Sequence, residues 1–442
     1  MQNKLEVIRW SADCSATSSF ESSTSTPEPE KGPALSPTSP QADPSAPYPT
    51  ERRMTYDPWG QHERRFPGNG AAARLTALKA HFEDRSAHYI GFPNSRLLSF
   101  AALADFLKFN INNIGDPFHP NNGINTCDFE QEVIAFWSTA LHLDPAAGWG
   151  YITNGSTEGI MYGIAQGRDR YEDAILIFSD QSHYCLHKIA HLLRLPHRVI
   201  PSHPDGTLNL EALNTTLAEL GGRPCILNLT VGTTFHGAIE APQQVLELLE
   251  QRHCRDFHLH VDAALYGPMH CWIAGAPLFD FRLPIHTLSF SGHKFLGAPI
   301  PCGLVLSHRD PIQPFAGSAE YVGSLDTTLS GSRDGFCALL LWLVIQQLGP
   351  QGLAEMAAES LQMAAELVSR LKAAGIAATR HPQGCIVVFP RPEQAIARRW
   401  QLATYGDFAH IVTVPGVTQE MIGAFIAELV EAGAQTATGL GP

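Results

Sequence analysis

The sequence predicts an α/β fold: a mostly parallel sheet wrapped by helices, followed by a smaller C-terminal α/β domain. Two observations carry this. Short apolar runs alternate with helix-like segments through the middle of the chain, and strands that alternate with helices pair in parallel beneath helices on both faces. After Asp326 the texture changes to a polar, glycine-containing loop and two long helices before strands return. A third observation sets the scale: 442 residues, 44% hydrophobic and 17% charged, suit a large folded core.

Taken in order, residues 1–55 read as a disordered extension. Within it, 11–50 is dominated by Ser, Thr, Pro, Ala and Glu, too little apolar surface to offset chain entropy. A helical segment with a candidate substrate loop follows over 56–122. There 71–82 and 100–109 are helix-like, and Asn110 to Phe118 is rich in Asn, Gly and Pro. The large domain spans 123–335. Its helices are expected at 129–143, N-capped by Asp128, and at 158–171, 183–194, 210–220 and 242–251. Its strands are expected at 175–179, 198–200, 225–231, 257–261, 287–291 and 303–307. The small domain, 336–442, is expected to hold helices at 336–348, 352–374, 393–403 and 419–432, with strands at 385–389 and 410–414.

Bulk properties exclude several classes. Net charge is −13 with no basic stretch, which argues against nucleic-acid and anionic-membrane partners. Nine cysteines are scattered without a CxxC pair, an arrangement of reduced thiols and a cytoplasmic setting. Twenty histidines show no HExxH or similar cluster, so no metal site is expected. No apolar run reads as membrane-spanning, and Leu5 to Trp10 is too short for a signal segment.

Chemistry concentrates around Lys294. It is the lone charged residue of Ser291-Gly-His-Lys-Phe-Leu-Gly297, between two apolar runs. Burying an ammonium is costly unless it is paired or chemically altered, and a Schiff base with a carbonyl cofactor alters it outright. Four upstream features give that cofactor a cradle. Gly155-Ser156-Thr157 opens a helix, where free N–H groups and hydroxyls suit a phosphate. His183 stands at a helix start beside a strand end, placed to stack on an aromatic ring and move a proton. Thr233 and Thr234 follow a strand and a glycine, where hydroxyls meet a ring substituent. Asp262 ends an apolar strand, where a protonated ring nitrogen justifies a buried carboxylate, and Ala263-Ala264 lets a flat ring lie close. Singly, each feature also has an ordinary reading as a cap, a turn or a surface residue. Their shared order on one alternating scaffold favours the cofactor reading.

The motifs WGYITNGSTEG (149–159), SHY (182–184), GTTFHGAIE (232–240), HVDAAL (260–265), SGHKFLGAPIPCG (291–303), GSRDG (331–335) and GDFAHIV (406–412) together resemble one family. They are similar to the pyridoxal-phosphate-dependent group II amino-acid decarboxylases, in particular the bacterial histidine and plant serine decarboxylases. The likeness runs over roughly 88–432.

The resemblance implies the fold type I transferase architecture and pyridoxal 5'-phosphate as cofactor. It also implies carbon dioxide release from an amino acid: histidine to histamine or serine to ethanolamine. By the same resemblance Lys294 carries the cofactor, Asp262 pairs with its ring nitrogen and His183 stacks on the ring. Ser156 and Thr157 bind phosphate with Ser291 and His293 nearby, and Thr234 and Ala264 contact the ring. Tyr321 lies on the family's mobile loop as a candidate proton donor. The family's homodimer brings Gly331-Ser332-Arg333 from the partner chain. Departures are Ile160 and Asp334, each where the family usually has Asn. Residues 111–118 and 398–403 look more like the serine enzymes. The cofactor constellation alone would also serve transamination, retro-aldol cleavage or a non-catalytic relative.

Overall fold

The computed structural model of the chain describes residues 70–96, 98–310 and 323–433. The expectations for residues 1–55 and for Tyr321 lie outside the described residues.

The first elements are α1 (Ala71–Ser86), a 3₁₀ helix (Ala101–Lys108), α2 (Cys127–Ala140), β1 (Gly148–Thr153), α3 (Ser156–Arg170), β2 (Ile175–Ser179) and α4 (Cys185–Leu192). Then come β3 (His197–Ile200), α5 (Leu210–Glu219), β4 (Cys225–Thr230), α6 (Pro242–Gln251), β5 (Phe257–Asp262), α7 (Gly267–His270), β6 (Thr287–Ser291) and β7 (Gly303–His308). The chain closes with α8 (Gly335–Ala373), β8 (Ile386–Pro390), α9 (Gln394–Arg399), β9 (Ala403–Tyr405), β10 (Phe408–Val412) and α10 (Gln419–Glu431).

Seven strands form one sheet in the order β1-β7-β6-β5-β4-β2-β3. The run β3-β2-β4-β5-β6 is parallel, while β7 lies antiparallel to both β6 and β1. The mostly parallel sheet is thus present, and β1, β2, β4 and β6 are buried along their whole length, as a sheet covered on both faces demands. A second, antiparallel sheet, β8-β10-β9, has its own apolar core with α10 and the last third of α8.

Helix α3 decides how the site is placed. Its glycines 159, 163 and 167 face the sheet, and a β-carbon at any of them would meet Ser289, His260 or His258. Without those carbons the helix backbone settles on β5 and β6. A buried polar seam lies beneath it: His260 Nδ1 is 2.7 Å from Thr287 Oγ1 and its Nε2 is 3.1 Å from Ser289 Oγ. The N-terminus of α3 is thereby held against the end of β6.

Several expectations change. Strand β1 was not among the expected strands; it pairs with the antiparallel β7, so the alternation rule had no place for it. The helix expected at 100–109 is a 3₁₀ turn. Helix α2 starts two residues before 129, with Thr126 at its N-cap, and Asp128 sits in the first turn. The helix expected at 393–403 stops at Arg399, and Ala403–Tyr405 joins the small sheet. Helix α8 is interrupted at Gly349 (φ 57°, ψ −172°) just before Pro350, the gap expected between 348 and 352. By length and composition alone α8 is apolar enough to cross a membrane, contrary to the expectation of no such run. Its inward face, Leu339 to Ala357, belongs instead to the main core beside α2.

Candidate active site

The carboxyl ends of the parallel strands bring the site together. β5 ends at Asp262 and β6 at Ser291, and Lys294 follows one short turn later. Two backbone bonds tie the strand ends: Ala263 N donates to Ser289 O at 2.9 Å and Ser291 N to Ala264 O at 3.0 Å. The lysine turn is braced on the other side, where Ser95 N donates to Lys294 O at 3.2 Å. His293 Nδ1 lies 2.9 Å from Cys302 O.

Lys294 and Asp262 are close enough to sense each other's charge, yet among the described residues no ion pair joins them. Burial depresses the lysine pKa, opposed by Asp262 and Cys185. Burial also raises Asp262, opposed by Lys294 and by the Ala264 N–H, which donates to its Oδ1 at 3.1 Å. Asp262 is 1% exposed. Each group is therefore held in the costly direction, which leaves the amine for a carbonyl carbon and the carboxylate for a ring cation.

His183 lies in the turn between β2 and α4. Its Nδ1 accepts the Cys185 N–H at 3.3 Å, and burial, Lys294 and Lys188 push its pKa down to about 4. The imidazole is neutral near pH 7, as stacking on a cationic ring requires. At the phosphate position Gly155 takes φ 102°, a left-handed conformation open to glycine, and leads into α3. Ser156 Oγ is 2.8 Å from Ser291 Oγ, which brings the helix start to the end of the lysine strand. Glu158 steadies that turn, accepting from Asn154 N at 2.9 Å and from Tyr151 Oη at 3.1 Å. Thr157 lends its hydroxyl to the buried Cys185 thiol, whose pKa is pushed up to about 12 by burial and by Asp262.

The structure thus gathers Ser156, Thr157, His183, Asp262, Ala264, Ser291, His293 and Lys294. Thr234 is exposed on the turn after β4, and its neighbour Thr233 is the buried one, accepting the Ala238 N–H at 2.9 Å. Ser332 is exposed and accepts from Asn112 Nδ2 at 3.1 Å. Arg333, expected to reach toward a partner, is used inside its own chain: it is buried, ion-paired with Glu130 and bonded to Gly115 O at 3.1 Å. Sequence reasoning assigned nothing to Cys185 or Glu240, although both are close enough to sense the charge of Asp262. The signals were their places, two residues after the histidine and at the end of the 232–240 motif.

This fold and site define an enzyme that uses pyridoxal phosphate. A glycine-led helix start with two hydroxyls, a neutral imidazole, a strand-end aspartate and a buried lysine are the parts that such a cofactor's phosphate, ring face, ring nitrogen and aldehyde need, and the residues present fit it. The chain belongs to the pyridoxal-dependent decarboxylase family: residues 103–379 match the model of the pyridoxal-dependent decarboxylase conserved domain. It is a group II amino-acid decarboxylase, a pyridoxal-phosphate-dependent carboxy-lyase. It is 37% identical over 365 residues to serine decarboxylase 2 of Oryza sativa subsp. japonica, covering 82% of this chain and 78% of that one. It is 35% identical over 354 residues to histidine decarboxylase of Mesorhizobium japonicum, covering 80% and 96% respectively. Among solved structures, L-methionine decarboxylase from Streptomyces sp. 590 superposes with a TM-score of 0.76 at 25% identity, covering 83% of this chain and 96% of that one.

Proposed function

We propose that this chain decarboxylates L-serine or L-histidine at the α-carbon, releasing carbon dioxide with ethanolamine or histamine. The observation that carries the reading is the pairing of buried Lys294 with strand-end Asp262, each held away from its ordinary protonation balance. Similarity to relatives named for these two substrates narrows the choice, and the likeness at 111–118 and 398–403 favours serine.

When bound, the cofactor supplies an electron sink for the pair left at the α-carbon as carbon dioxide departs. Lys294 holds its carbonyl carbon, and the depressed pKa keeps the amine nucleophilic. Asp262 keeps a proton on the ring nitrogen. Ser156, Thr157 and the free N–H groups of α3 hold the phosphate, with Ser291 and His293 bracing them. His183 would cover the ring face and direct protonation at the α-carbon, Tyr321 being the second candidate. Ala264 borders the ring.

We further propose a homodimer working in the cytoplasm, with Ser332 reaching the partner's site. Exposed Phe106, Leu107, Phe109 and Ile124 support it: these large apolar side chains around the 3₁₀ helix are 41–68% open in the single chain.

The test is a screen of amino acids with the loaded enzyme, reading amine, carbon dioxide and keto acid separately. Ethanolamine or histamine with equimolar carbon dioxide supports the reading. Keto acid without carbon dioxide would replace it with transamination, and cofactor binding without any product would replace it with a non-catalytic role.

A further inference from the structure

Glu240 is a buried carboxyl, close enough to sense the charge of Asp262, that the reading above leaves without a role. It is 1% exposed and follows the turn after β4, where Val231 and Ile239 form a bridge. Its Oε2 accepts the Thr230 N–H at 2.7 Å, and among the described residues its Oε1 has no hydrogen-bond partner. Thr230 stands opposite Asp262 in the β4–β5 register.

The charged groups facing Glu240 are Asp262 from β5 and Asp180 from the turn after β2, both negative. Lys294 and Cys185 also lie within electrostatic reach of Asp262. Ser179 offers a hydroxyl close enough to favour the ionised form, yet outside hydrogen-bond geometry to Oε1. From Ser179 the hydroxyls continue toward His183. Ser179 Oγ is 3.2 Å from Ser182 Oγ, and Thr230 Oγ1 donates to Ser182 Oγ at 3.3 Å. Ser182 immediately precedes His183.

A carboxylate at this position is buried, short of one donor, and beside two like charges. All three disfavour the anion. A proton on Oε1 removes the charge and turns an orphan acceptor into a donor near the Ser179 hydroxyl.

We propose that Glu240 carries a proton in the cofactor-loaded enzyme and acts as a positioning residue, bonding the Ser179–Ser182 turn that presents His183. This deepens the reading above and rests on Asp262 and His183 serving the cofactor as stated there. Burial, reinforced by Asp262 and Asp180, pushes the Glu240 carboxyl up to about 7, so the proton is lost close to neutral pH. Ionisation would place a second negative charge near Asp262.

The experiment titrates the visible absorption of the loaded protein against pH, with kcat and KM profiles in parallel. Wild type should show a spectral transition with its midpoint near 7, the value to which Glu240 is raised. Glu240→Gln, neutral at every pH, should keep the low-pH spectrum through that range, with the matching limb gone from kcat and KM little changed. Glu240→Asp should keep a transition at a displaced midpoint, which secures the test if the glutamine variant does not fold. A transition unaltered in Glu240→Gln, or a midpoint unmoved in Glu240→Asp, overturns the inference. If no visible band disappears in Lys294→Ala, the cofactor reading itself falls and takes this inference with it.

Discussion

Lys294 and Asp262 show how two residues that are costly singly become useful as a pair. Among the described residues neither has a hydrogen-bonded counter-ion of its own, and each is shifted toward neutrality by burial. A ring cation beside Asp262 relieves that carboxylate. Asp262→Asn should therefore lower kcat by about 10²–10³-fold, the usual cost of one lost electrostatic contact at a reacting centre, with the circular dichroism spectrum unchanged. His183 is neutral down to about pH 4. Its replacement by Ala should lower kcat by roughly 10²–10⁴-fold if it moves a proton. Because its pKa lies near 4, the profile should show no His183 limb between pH 6 and 8. An inflection there that vanishes in the variant would contradict the placement.

At the scale of elements, α3 and the sheet beneath it are the informative pair. Gly163 has no room for a methyl group against His260 and Thr287. Gly163→Ala should destabilise the fold by about 1–3 kcal/mol through overpacking, read by urea denaturation of the loaded protein. The same seam makes a pH prediction. His260, with its pKa lowered by burial to about 3, and His286, lowered to about 4, are neutral in the fold. Unfolded, they take up protons near pH 6.5, so the unfolded state binds more protons in this window. Stability is then full above about pH 6.5 and falls toward pH 4, by about 1.4 kcal/mol per pH unit for each histidine. Acid denaturation should steepen across that range, and a flat profile would show the rings charged in the fold. Glu130 gives a third case. It pairs with Arg333, both buried, and also accepts from Asn113 Nδ2 at 2.7 Å and from Ile152 N at 2.8 Å. Glu130→Ala leaves an unpaired guanidinium in the interior and should cost about 3–5 kcal/mol by the same assay.

These elements also show what was legible beforehand. The parallel strands and the helices between them were readable because burial on both faces writes continuous apolar runs into the sequence. β6 and α6 fall at the expected residues. β1 was not, since Gly148–Thr153 mixes glycines with aromatics and pairs antiparallel at the sheet edge next to β7. β9 is three residues long, too short to carry a period. Helix α3 starts at Ser156, two residues before the expected 158, with Gly155 at the cap and the Ser156 hydroxyl facing Ser291.

For the whole molecule, the exposed apolar side chains around the 3₁₀ helix favour a second copy of the chain as their cover. Sedimentation should give twice the chain mass, and charged substitutions at Leu107 and Phe109 should shift the species toward the single chain. A monomer at micromolar concentration would overturn the dimer. The two cores bear on this scale as well. Residues of α8 up to Ala357 belong to the large-sheet core and those from Ala364 onward to the small one, so this helix ties the two together.

The sequence by itself determined the fold class, the order of the parallel elements and the four motifs of the cofactor site. Local spacing encodes periodicity and helix starts, and a lysine or aspartate at an apolar strand end is visible as a cost without a counterpart. Only the tertiary structure decided which groups share the space around that lysine. It put Glu240 and Cys185 close enough to sense the charge of Asp262, took Arg333 into its own chain against Glu130, and left Thr234 open on its turn. The reason is physical: pKa, burial and partnership depend on what crosses from other strands. Residues far apart along the chain, such as Glu130 and Arg333, meet only once the sheet has formed.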